Sequence, residues 1–287
     1  MNFRVWIIGL LLPWLAGCSA LKLAYSQAPD LAYWWLDGYV DFNTEQTPPV
    51  RAALKDWFAW HRSTQLPDYA ALLATLRVQA LQPITPQQAC AQIAELERRF
   101  DAAFEHALPA LADLSRRLSA EQLQHLERRQ AKSNAEFRDN YVQPDPKLRR
   151  AASIKRTLQR AEAYYGRLDE SQREMVSAAV AASPFNADAW LAEREAFQRD
   201  FMQTLRQLVA ERADAQRAQL AWRALAAHQM RSPRPAYRTY QESLLEYNCA
   251  FFARLHNTTT PEQRQRAAAR LKDWEDDVRA LVQPTAS

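Results

Sequence analysis

Helix-forming sequence runs in long blocks between prolines, and this pattern limits the chain more than any other feature. Ala, Leu, Gln, Glu and Arg dominate each block. No run alternates apolar and polar positions with β-branched residues, as a half-buried strand would. Twelve of the fifteen prolines cluster between these blocks, at Pro48-Pro49, Pro67, Pro83 with Pro86, Pro144 with Pro146, Pro184, Pro233 with Pro235, Pro261 and Pro284. Proline suits the first turn of a helix and breaks an interior, so these positions mark boundaries. The expected helices cover residues 29–39, 49–61, 68–81, 86–118, 120–142, 146–168, 170–182, 187–228, 235–256 and 261–282. Residues 211–219 are polar apart from alanines, so the helix from 187 is either exposed there or interrupted. The expected fold class is all-α, a multi-helix bundle of nine or ten helices.

Glycine is scarce, with four in 287 residues. Two precede residue 18, leaving Gly38 and Gly166. A phosphate-cradling loop needs several glycines so that the backbone can approach the anion. P-loop and dinucleotide-binding chemistry are therefore excluded, and no cofactor is expected. A composition 48% hydrophobic and 24% charged is that of a folded domain, not a disordered chain.

The first eighteen residues indicate a compartment. Arg4 is followed by an uncharged, Leu- and Ile-rich stretch over residues 5–17, which has the length of a signal-peptide apolar region. A bilayer span needs roughly 20 residues. The stretch ends in Leu15-Ala16-Gly17-Cys18, which resembles the bacterial lipobox. That resemblance implies cleavage before Cys18 and fatty acyl chains, such as palmitate, on the cysteine. Each buried methylene contributes about 0.8 kcal/mol to anchoring. In the resembling enterobacterial system an aspartate after the cysteine favours the inner membrane. Ser19 is compatible with transport to the outer membrane. The expected organisation is a signal peptide at 1–17, a lipid-anchored linker at 18–28 and one helical domain at 29–287, facing the periplasm. Without Arg4, 36 basic residues stand against 33 acidic ones, and a net charge of +3 gives no argument for nucleic acid.

Cys90 and Cys249 remain beyond the anchor. Cys90 falls in line with Ile93 and Phe100, and Cys249 with Leu245 and Phe252. Both suit apolar helix faces, so buried thiols and, in an oxidising compartment, a disulfide are both open.

One pattern recurs at expected helix starts: Thr85-Pro86-Gln87-Gln88, Ser119-Ala120-Glu121-Gln122, Asp169-Glu170-Ser171-Gln172 and Thr260-Pro261-Glu262-Gln263. These read as capping boxes, in which the first side chain accepts a backbone N–H and the glutamine reaches back. With a preceding leucine in the Ser119 copy, the pattern also resembles the Leu-Thr-x-x-Gln motifs of Spy- and CpxP-like periplasmic chaperones, small helical proteins that hold unfolded clients.

A wider resemblance rests on Leu21-Lys22-Leu23-Ala24-Tyr25-Ser26-Gln27, Tyr33-Trp34-Trp35-Leu36-Asp37-Gly38-Tyr39-Val40-Asp41-Phe42, Trp57-Phe58-Ala59-Trp60-His61-Arg62 and Leu66-Pro67-Asp68-Tyr69. Together with the lipobox, these resemble the proteobacterial lipoproteins catalogued as domain of unknown function 6279. The resemblance implies a lipoprotein of open role and carries no catalytic residues.

His61, His106, His125, His228 and His256 are scattered, with no two at the short spacing of a helical metal pair. His61 lines up with Val50, Leu54 and Trp57 and reads as a packed histidine. No metal site is expected. Asp276-Asp277 reads as a solvated face. The basic run around Arg149, Arg156 and Arg160 is either a solvated face or a grip for an anionic envelope polymer. In the aromatic segment, Leu31, Trp34, Trp35, Gly38 and Phe42 share one helical face. Tyr33, Leu36 and Val40 cover much of the other face, so the expectation is that this helix docks into the bundle against the Trp57–Trp60 helix, with a second membrane contact as the alternative. The functional expectation is a non-enzymatic binding, assembly or holding-chaperone lipoprotein. Its alternative is an envelope hydrolase or lytic enzyme using a carboxylate in a helical cleft.

Overall fold

The computed structural model describes residues 24–282. The signal segment and Cys18 lie outside the described residues. Among the described residues, after a helical stretch at 24–26, eleven α-helices follow one another: α1 Ala28–Val40, α2 Thr47–Trp60, α3 Leu66–Gln79, α4 Pro86–Ser115, α5 Ala120–Tyr141, α6 Pro146–Tyr165, α7 Glu170–Ala182, α8 Ala187–Ala210, α9 Ala215–Met230, α10 Pro235–Asn257 and α11 Pro261–Val282. No strand occurs among the described residues, as the sequence predicts.

At helix starts the prolines act as expected, whereas Pro109 lies inside α4. Pro29, Pro48, Pro67 and Pro146 sit in the first turns of α1, α2, α3 and α6. The stretch after residue 210 interrupts the helix. Arg212 turns at φ 47°, and Asp214 then caps α9 by accepting the Arg217 N–H at 2.7 Å. Between α2 and α3 the chain widens into a π-turn at His61–Gln65. Pro67 cannot donate to the carbonyl four residues back and its ring crowds that carbonyl, so a local widening relieves both problems.

The residues group into two compact units, each assembled from three stretches of chain. Unit 1 takes residues up to Arg62, with 101–140 and 187–237. Its core joins Leu118, Leu123 and Leu126 to Met202 and Leu205, with Ala112, Leu208 and Ala218 beside them. Unit 2 takes residues 63–100, 141–186 and 238–287. Its core holds Ala161, Tyr165, Leu168, Val176, Leu255 and Ala267. Both units alternate along the sequence, so no linker composition separates them.

All four expected capping boxes form. In each, the glutamine Oε1 accepts the backbone N–H of the cap residue, and the cap side chain accepts the glutamine's own N–H. Asn43 and Gln46 make a fifth box at the turn before α2. Four of these glutamines then pair. In unit 1, Gln46 Nε2 donates to Gln122 Oε1 at 3.2 Å, and Gln122 Nε2 donates back to Gln46 Oε1 at 2.6 Å. The second N–H of each amide reaches a carbonyl two residues before the partner's cap, Arg117 O for Gln46 and Asp41 O for Gln122. Unit 2 repeats the arrangement with Gln172 and Gln263, at 2.8 and 3.0 Å, and with Thr258 O and Arg167 O. All four side chains are buried, and Gln172 is 1% exposed. Each pair staples two helix–turn–helix hairpins at their turns: α1–α2 to α4–α5 in unit 1, and α6–α7 to α10–α11 in unit 2.

Cys90 and Cys249 form a disulfide in unit 2, with Cα atoms 5.4 Å apart and 159 residues between them in sequence. It ties α4 to α10 beside a second clamp, where Asn257 bonds both the N–H and the carbonyl of Ile84 at 2.9 Å. Closing so long a loop contributes about 5 kcal/mol by the chain-entropy account.

Gln172→Leu leaves one N–H of the Gln263 amide, the Thr258 carbonyl and the Asp169 backbone N–H without partners, so half of the capping box is lost. We expect a loss of about 3 kcal/mol, from an unsatisfied buried amide and the weakened cap. That corresponds to a fall of roughly 6–10 °C in Tm. Thermal melts of Gln172→Leu, Gln263→Leu and the double variant check this: the double variant should cost much less than the two singles added together. Additive costs would show that the pair does not act as a unit.

Candidate binding groove and the predicted site residues

Unit 1 carries an open groove of about 740 Å³ between α5 and α8. Its origin can be followed along both helices. On α5 the buried stripe runs Leu123, Leu126 and then Asn134, changing from leucine to amide. On α8 it runs Leu191, Arg194, Gln198, Met202 and Leu205, with two polar residues in the middle. The two polar stretches meet. Asn134 Nδ2 donates to Gln198 Oε1 at 2.7 Å, and Gln198 Nε2 donates back to Asn134 Oδ1 at 3.2 Å.

Arg194 completes this layer. Its Nε donates to Asn134 Oδ1 and its Nη2 to Ser133 Oγ, each at 2.7 Å. The guanidinium lies 5.6 Å from the Trp190 ring centre. Arg194 is 6% exposed, and no carboxylate forms an ion pair with it among the described residues. Burial pushes it below the ordinary arginine range, partly offset by Tyr39 and Glu136. A cation held by neutral acceptors is costly, and its satisfied hydrogen bonds are what make it tolerable. Above this floor the walls carry Gln130, Gln203 and Gln207, with Arg206 paired to Glu127. Such a wall presents amide donors and acceptors to solvent and suits a polar polymer or an extended backbone. The sequence reading missed this site. Its signal was Arg194 and Gln198 interrupting an otherwise apolar helical stripe.

The basic residues on α6 are placed differently from one another. Arg156 stacks over Tyr141 at 4.7 Å, Arg149 is half-buried and engaged, and Arg160 is exposed. On the other side of α6, Ala161 and Tyr165 are buried, whereas Ile154 and Leu158 border a smaller groove of about 370 Å³.

Histidines take packing roles. His61 stacks on Trp57, 4.8 Å between ring centres, and shares a 2.8 Å hydrogen bond with Tyr25 Oη. His106 stacks on Trp60 at 3.9 Å. His256 bonds Tyr165 Oη at 3.0 Å and the Gln82 carbonyl at 2.8 Å. Burial raises the Tyr165 phenol above its usual range. No group of three or more His, Cys, Asp or Glu residues suited to a metal occurs among the described residues. Among the described residues, each carboxylate whose pKa is displaced moves downward: Glu95 and Glu105 by hydrogen bonds from arginines, Asp113 because Arg116 and Arg117 together outweigh the opposing effect of its burial, and Glu121, Asp169 and Glu262 by helix N-terminal hydrogen bonds. Asp276 lies on a solvated face and pairs with Lys272 at 2.5 Å.

Helix α1 packs on α2, the helix that carries Trp57 and Trp60, as the sequence predicts; the side that packs is that of Tyr33, which is 5% exposed and bonds Thr47 Oγ1 at 3.0 Å. Arg51 covers the Tyr33 ring at 3.9 Å. Leu31, Trp34 and Trp35 point outward, at 59%, 62% and 43% exposure. One side of α1 supplies enough contact for a hairpin partner, and the tyrosine side has the hydroxyl that finds an acceptor there.

The model of a family described as "Family of unknown function (DUF6279)" matches residues 38–231. Neither a curated protein nor a solved structure matches the chain.

Burial lowers the His61 pKa from 6.5 to about 4, and it lowers that of His256. As pH falls through 6.5, the unfolded chain binds a proton that the folded site refuses. The stability contributed by neutral His61 is therefore full above about 6.5 and is lost progressively toward pH 4. Thermal melts at pH 7 and pH 5 should show a smaller drop for His61→Phe than for the parent. Equal drops would remove His61 from the account.

Proposed function

The chain belongs to that family of unknown function, and from this premise we propose that it is a lipid-anchored lipoprotein of the bacterial envelope. Its role is non-enzymatic, as a binding, assembly or holding-chaperone protein facing the periplasm from the outer membrane. The observation that carries this reading is Leu15-Ala16-Gly17-Cys18 at the end of an apolar stretch of signal-peptide length. Ser19 supports the outer-membrane address. The Cys90–Cys249 disulfide supports an oxidising compartment, because reducing conditions keep such thiols apart. Among the described residues, no helix is long and apolar enough to cross a membrane.

The amide-lined groove of unit 1 supports binding as the activity. The holding-chaperone arm draws on the Leu-Thr-x-x-Gln resemblance. Four of the capping-box glutamines are consumed in their own pairs, so a client surface has to come from elsewhere, and the groove is the surface of suitable chemistry. On α6, exposed Arg160 supports an anionic envelope polymer as a second ligand class.

Labelling with radioactive palmitate, followed by membrane fractionation, tests the anchor. The parent should carry label and sediment with membranes, and Cys18→Ala should lose both. A Cys18→Ala chain that is processed and stays membrane-bound like the parent would overturn the reading. The purified parent is then assayed for suppressing aggregation of an unfolded protein and for sedimenting with peptidoglycan; inactivity in both would refute the binding role.

A further inference from the structure

We propose that the outward face of α1, formed by Leu31, Trp34 and Trp35, is a second membrane contact that rests in the headgroup region of the bilayer. This rests on the lipid-anchor reading of Cys18 and extends it from one attachment point to two.

The three residues follow helical spacing and form one continuous apolar stripe. The stripe continues over Gly38, where an added Cβ would meet nothing within 4 Å. Trp34 and Trp35 are the exposed tryptophans among the described residues. Elsewhere the indole N–H groups of Trp57 and Trp222 donate to Ala103 O and Ser115 Oγ, each at 3.0 Å. Those of Trp34 and Trp35 donate to no protein group among the described residues. An amphipathic ring with an unused donor is suited to the membrane interface, where one end is apolar and the other meets headgroups and water.

The short length of chain between Cys18 and the described residues selects lipid as the occupant. Residues 24–26 are already helical, so five residues, 19–23, separate Cys18 from the described chain. Five extended residues span at most about 18 Å, and each helical residue beyond adds about 1.5 Å. An acylated Cys18 therefore keeps the stripe within a short reach of the bilayer surface. The acids that would oppose such contact are largely occupied. Asp30 pairs with Arg51 at 2.5 Å, and Asp37 turns back to accept the Phe42 N–H at 2.9 Å. Asp41 ends the helix at φ 59° and closes the stripe.

Two-point attachment has a mechanical consequence. A single lipidated residue on a flexible stretch leaves the body free to tumble, whereas a docked α1 fixes the orientation of its hairpin to the membrane plane.

The test uses the full chain in phosphatidylethanolamine vesicles containing phospholipid brominated near the headgroup. Tryptophan emission of the parent should be quenched, and Trp34→Ser with Trp35→Ser should lose most of that quenching while melting like the parent. Equal quenching in the two chains would overturn the proposal. A double variant that melts well below the parent would also overturn it, because the face would then be packed against protein. So would sedimentation showing a dimer that the double substitution abolishes, which would assign the face to a second copy. The anchor is read separately, from the mass of the N-terminal peptide. An unmodified Cys18 would refute the anchor, whatever the quenching result shows about the face.

Discussion

A primary amide taken out of water carries two donors and two acceptor lone pairs that must all be replaced. Gln46, Gln122, Gln172 and Gln263 meet this demand in pairs. In each, the oxygen takes the N–H of its own cap and one N–H of its partner, and the nitrogen serves the partner and one carbonyl beside the partner's cap. Because every group has its partner only when two helical turns face each other, the pair specifies how two hairpins meet. Apolar contacts around it, such as Leu168 with Val176 in unit 2, supply most of the burial but would tolerate other angles. The amide pair would not.

The second polar layer has a different character. Arg194, Asn134 and Gln198 interrupt an apolar stripe inside unit 1 and leave an open groove beside them. A fully apolar stripe would have closed α5 on α8 along their length. Polar residues at the meeting place keep the helices registered while leaving amide-rich walls exposed, so the same residues that limit packing create the surface available for a ligand. Unit 2 adds to its amide pair the Cys90–Cys249 bridge and Glu275 held between Arg77 and Arg279.

Aromatic residues show how far a helical pattern reaches. Helix α1 is apolar on both sides, and its sequence does not say which side is buried. The structure buries Tyr33 because Thr47, Phe42 and Arg51 meet that side. Hydrophobicity alone ranks the faces by area, whereas packing selects the one whose polar atoms find partners.

Helix class, most boundaries and four of the five capping boxes were determined by the sequence alone, because proline sterics and cap hydrogen bonds act within one turn of chain. The break after residue 210 was left open as one of two outcomes for the same reason: Asp214 can cap a new helix, but alanine on either side permits continuation. The fifth box was legible as Asn43-x-x-Gln46, although the turn it caps stands one step ahead of α2. Tertiary structure alone decided which glutamines pair and whether Cys90 could reach Cys249 across 159 residues. It also decided which face of α1 is buried and how interleaved stretches sort into two units. Each of these depends on contacts between residues far apart in the chain, and a periodic pattern along one helix carries no information about the helix it will meet.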